Sequence, residues 1–161
     1  MTTTAGEIAA SPRAAGRPIA AIVVGGVIVG ILDLAYAIIV YSPKHPILIP
    51  QAIASGLLGR ASFSDGAPSA VLGVICHFTI ALGAAAVFYA ASRTWRFLVH
   101  RPVLSGMLFG ACVYVVMHVV IVPLSAAGPS HLSFALKSAE FVEHWFFVGV
   151  PIALSVRRFG G

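Results

Sequence analysis

Four ionisable side chains stand one to each of four long apolar stretches: Asp33, His77, His118 and His144. Imidazole nitrogens and carboxylate oxygens bind divalent metals, pass protons, or act as general acid and base. Holding a charged Asp at a membrane-helix centre costs roughly 2.5–3.5 kcal/mol, so some chemistry or packing partner must compensate. The fourth stretch adds Glu140 one turn from His144 and Glu143 beside it, as Glu-x-x-Glu-His, with Trp145 pointing away. Tyr114 lies one turn from His118.

Three chemistries fit these residue types. Neutral imidazoles of His77, His118 and His144 with Asp33 or Glu140 satisfy a divalent transition metal such as tetrahedral zinc or an open iron or manganese site. An open position would turn bound water into hydroxide, with Glu140 or Glu143 as candidate base, and a lipid-like substrate could then be hydrolysed. The residues do not require an enzyme, and the non-enzymatic reading is preferred. The same groups could relay protons or hold a coupling ion, although the inner half of the bundle offers chiefly Tyr114, Ser105 and small apolar residues. His77 and His118 as axial ligands of a single haem b are the least favoured of the three. Against all of them stands a structural polar network, in which the side chains bond one another and hold helix register.

The elements that must position these groups follow from composition. Hydrophobic residues make up 59% of the 161 and charged ones 9%, with a mean hydropathy of +0.98. That is far from a soluble domain and reads as an all-α integral membrane protein. Four stretches are long enough for about 30 Å of hydrocarbon: 19–41, 69–91, 103–123 and 136–156. Within residues 17–158 they predict one four-helix transmembrane bundle, flanked by a disordered tail over 1–16 and a short tail over 159–161. A cleaved signal peptide competes for the first stretch, with Ala35-Tyr36-Ala37 imitating a cleavage site. Length, Asp33 and Gly26-x-x-x-Gly30 favour a retained helix.

Measured from the span ends, the four groups lie about 7–12 Å below one boundary at 1.5 Å per residue, and so share a layer. Arg13, Arg17, Arg93, Arg96, Arg101, Arg157 and Arg158 fall on the opposite side from Lys44, Arg60 and Lys137. This bias predicts both termini in the cytoplasm and the site in the outer half of the bilayer. The net charge of +5 therefore belongs to topology and lipid headgroups, and no nucleic-acid partner follows. Cys76 and Cys112, on different spans, make no disulfide framework.

Small residues share faces with the ionisable ones: Gly26, Gly30, Asp33 and Ala37 on the first span, Gly73, His77, Ala81 and Ala84 on the second. Gly106-x-x-x-Gly110 marks a further close approach, and these spacings permit a homodimer. Pro151 should loosen the backbone around Phe147. In the first outer loop, 50–58 predicts a short interfacial helix with Pro50 at its first position, Ile53, Leu57 and Leu58 on one side, and Gln51 and Ser55 near the other. His45, His100 and His131 read as solvated or interfacial, and Lys137 as snorkelling or pairing with Glu140.

From the second span onward the chain resembles the YagU-like inner-membrane proteins of bacteria. The resemblance rests on Cys76-His77-Phe78 with a small-residue run to Tyr89, on Met117-His118-Val119-Val120-Ile121-Val122-Pro123-Leu124, on Glu140 and His144 followed by aromatics, and on Arg157-Arg158. It implies a small multi-pass protein of the bacterial inner membrane with no agreed activity. That family can carry a basic group near the place of Asp33, so the resemblance does not extend to Asp33 as a ligand.

Overall fold

The structure, a computed structural model, describes residues 17–128 and 132–160. The expected tail over 1–16, with Arg13, lies outside these residues, as do His131 and Gly161. Four helices are long and apolar enough to cross a membrane: Pro18–Tyr41, Ala67–Thr94, Pro102–Leu124 and Phe134–Phe159. They are the first to fourth spans below, and they make this a multi-pass integral membrane protein. No strand occurs among the described residues.

Proline sets where the first three spans begin. Pro18, Pro68 and Pro102 occupy the first or second helical position, where the missing N–H has no intrahelical partner to lose. The fourth span starts differently: the Ser133 hydroxyl oxygen accepts from the Leu136 N–H. Long aliphatic side chains such as Ile31, Ile39, Val71, Val87 and Leu108 face outward, as lipid-facing helices require, while the core is built from Ala21, Ala81, Ala85 and Ala153 with Phe88 and Ile152.

Glycine determines how closely the spans approach. A Cβ added at Gly26 would lie 2.7 Å from the Leu82 side chain, and one at Gly30 2.5 Å from Phe78, so the second span seats these side chains on the first-span glycines. Gly106 and Gly110 do the same for the fourth span: a Cβ at Gly106 would be 2.8 Å from the Gly149 oxygen, and one at Gly110 would run into the His144 carbonyl. Both Gly-x-x-x-Gly spacings are thus occupied within the chain.

Within the spans, two segments depart from α geometry. Met117–Ile121 and His144–Gly149 are π-helical, and each ends just before a proline, Pro123 or Pro151. A proline ring clashes with the carbonyl four residues back, here Val119 or Phe147, and widening the turn moves that carbonyl aside. The loosening expected near Phe147 therefore takes the form of a π segment that begins at His144.

The loop between the first and second spans holds a helix, Leu48–Leu58, continued by a 3-10 turn over Gly59–Phe63. It starts two residues before Pro50, which sits within the first turn, where a missing donor is tolerated. Its polar side packs inward: Gln51 Nε2 donates to the Gly66 carbonyl at 3.0 Å, and a Cβ at Gly73 would run into the Pro50 carbonyl. Leu57 and Leu58 face outward. Cys76 and Cys112 are free thiols.

Candidate functional site

The four helices bring all the anticipated residues into one connected layer. At its centre, one ligand atom each from Asp33, Glu143 and His144 lie within 4.8 Å of one another. The first span contributes Asp33 one turn beyond Gly30, and the fourth contributes Glu143 and His144 at the entry to its π segment. Glu143 and His144 are nearly sealed, their side chains 2% and 10% exposed, while Asp33 retains 24%.

His144 is held from two sides. Its Nδ1 lies 2.9 Å from the Glu140 carbonyl oxygen, a bond in which Nδ1–H donates, and the same atom is 2.8 Å from Glu143 Oε2. That pattern orients the ring and leaves the opposite nitrogen as the base. Both oxygens of Glu143 are fully buried, and apart from the contact of Oε2 with His144 Nδ1 neither has a hydrogen-bond partner among the described residues. Two carboxylates, Glu143 sealed and Asp33 partly open, thus gather around one imidazole.

The remaining groups flank this centre. His77 Nε2 donates to the Gly30 carbonyl at 2.9 Å and stands 3.8 Å from Asp33 Oδ2. On the other flank, the Tyr114 ring lies between two imidazoles, stacked on His118 at 4.1 Å and edge-on to His144 at 5.4 Å. His118 Nδ1 donates to the Tyr114 carbonyl at 3.1 Å, and its Nε2 faces Glu140 Oε2 at 3.5 Å. The layer therefore runs His77, Asp33, Glu143 with His144, Tyr114, His118, Glu140.

The three-ligand grouping differs from the set anticipated from sequence. Asp33 and His144 are in it; His77, His118 and Glu140 are next to it, and Glu143 takes the place they were expected to fill. The Nε2 atoms of His77 and His118 are turned to Gly30 and Glu140, so neither is directed at a common macrocycle. Glu140 meets His144 through its backbone carbonyl, with its carboxylate on His118 instead. Lys137 forms no ion pair with Glu140 among the described residues; its carbonyl accepts from the Tyr114 hydroxyl at 3.2 Å. From sequence, Glu143 reads as a candidate base beside His144 and not as a ligand; rotation of the fourth span against the first puts it, and not Glu140, next to Asp33. The buried Tyr41 hydroxyl and Trp145 Nε1, both without partners, were also not anticipated.

No protein-family model, curated protein or solved structure matches the chain.

Proposed function

We propose that this protein binds a divalent cation in the membrane, through Asp33, Glu143 and His144. The observation that carries the reading is Glu143, whose two buried oxygens have a single imidazole beside them while a second carboxylate, Asp33, draws on the same imidazole. A carboxylate so placed needs a proton or a cation, since an uncompensated buried charge costs several kcal/mol. Around a zinc-sized ion with bonds of about 2.1 Å, tetrahedral ligand atoms stand about 3.4 Å apart. Side chains now within 4.8 Å close to that separation by small rotations. One nitrogen and two oxygens suit Mn²⁺, Fe²⁺ or Zn²⁺, and three protein ligands leave a position for water or substrate.

The test is metal content per chain, together with calorimetric titration of Zn²⁺ and Mn²⁺, on untagged protein in mild detergent. Near-stoichiometric metal that Glu143→Gln and Asp33→Asn lose but His118→Ala retains supports the reading. A wild type that neither carries metal nor takes up either ion sinks it.

A second reading is favoured by a separate observation: each of the three imidazoles in the layer faces a carboxylate, at 3.8, 3.5 and 2.8 Å. Such pairs can hand a proton along the layer. Proton flux in liposomes that His118→Ala abolishes, in protein free of metal, would select it. The excess of Arg at one end of the bundle supports placing both termini in the cytoplasm, and the resemblance of the second to fourth spans supports a bacterial inner membrane.

A further inference from the structure

At the end of the bundle remote from the acid–imidazole layer lies a cavity of about 400 Å³, lined by Ser92, Arg93, Arg96, Val99, His100, Val156 and Gly160. Its floor is closed by buried Ser92, Val156 and Gly160, and its walls carry two exposed guanidiniums and an imidazole. The walls are fixed by local bonds. His100 Nδ1 donates to the Arg96 carbonyl at 2.7 Å, and the Ser105 hydroxyl is 2.6 and 2.7 Å from the carbonyls of Leu98 and Arg101, pinning the turn Phe97–His100.

The charge balance here is one-sided. Arg157 and Arg158 end the fourth span nearby, and the Arg17 N–H donates to the Phe159 carbonyl, bringing the first span's basic start to the same end. Among the described residues no carboxylate pairs with any of these guanidiniums. The two helix C-termini present roughly half a negative charge each, about one in total, against five arginines. Last-turn compensation therefore leaves most of this charge unanswered.

We infer that this cavity binds a phosphate group, presented by an anionic phospholipid of the adjoining leaflet, with Arg93 and Arg96 as its ligands. Guanidiniums offer paired donors that match phosphate oxygens, and basic pockets between membrane helices recognise anionic headgroups. The cavity lies within the usual 300–1,000 Å³ range of small-ligand sites. Its place at the helix ends, between apolar spans, suits a molecule whose tails stay in the bilayer.

The experiment uses the full chain in nanodiscs of phosphatidylcholine alone or with a quarter phosphatidylglycerol, followed by native mass spectrometry of the lipid retained after transfer to detergent. Phosphatidylglycerol should be enriched at least fivefold over its share on wild type. Arg93→Gln with Arg96→Gln should remove the enrichment, whereas Arg157→Gln with Arg158→Gln should preserve it. Arg93→Lys with Arg96→Lys, which keeps the charge but loses the paired donors, should retain less than half. Equal loss in the two Gln pairs would overturn the inference in favour of diffuse surface charge. No enrichment, with inorganic phosphate instead raising the melting temperature in neutral nanodiscs, would overturn the lipid assignment and leave a soluble phosphate as ligand.

Discussion

Glu143 and His77 differ in what surrounds them, and that difference yields separable outcomes. Glu143 is sealed with a single imidazole nitrogen, His144 Nδ1, beside its oxygens, so removing its charge should leave the empty protein at least as stable while weakening cation binding. For Glu143→Gln we expect cation affinity to fall on the order of 100-fold, with a melting temperature equal to or above wild type in chelator. Calorimetric titration and thermal unfolding in detergent check the two halves. His77 is the opposite case: its Nε2–H is satisfied by the Gly30 carbonyl, an interhelical bond of the kind worth roughly 0.6–2 kcal/mol. His77→Ala should lose about that much stability and leave cation affinity within a few-fold of wild type. A 100-fold affinity loss in His77→Ala would instead put that imidazole among the ligands.

At the scale of elements, the site depends on how closely the third and fourth spans approach. Gly110 faces the His144 carbonyl with no room for a Cβ, whereas a Cβ at Gly83 would meet nothing within 4 Å. Gly110→Ala should therefore separate the spans, cost about 1–3 kcal/mol and impair cation binding together with stability. Gly83→Ala should be neutral or slightly stabilising, because it removes a flexible residue from a helix. The π segments are the second device. Pro151→Ala restores a donor toward Phe147 and permits α geometry there, which would rotate His144 relative to Asp33. We expect slower amide exchange over His144–Gly149 and weaker cation binding; exchange and affinity both unchanged would show that the widened turn does not depend on the proline.

For the molecule as a whole, the polar layer and the basic end occupy opposite ends of the bundle. Four spans return the chain to the side where it began, and the bond from Arg17 to Phe159 joins those ends directly. Reporter fusions after residue 160 and before residue 17 should accordingly report the same side, the cytoplasm by the arginine bias. A reporter active outside the cytoplasm at either end would invert the assignment and move the acid–imidazole layer to the inner leaflet.

Composition and hydropathy were enough to establish a four-helix membrane bundle, because about twenty apolar residues in a row have few alternatives to spanning a bilayer. Depth counted along each span also brought Asp33, His77, His118 and His144 to one layer, since helical rise converts residue number into height with little error. Azimuth is different. Which of those groups share a space depends on rotation about each helix axis, which the glycine contacts set at Gly30 and Gly110 and the π segments alter at His118 and His144. No residue count fixes how the fourth span is rotated against the first, and that is why only the tertiary structure could put Glu143, and not Glu140, beside Asp33 and His144.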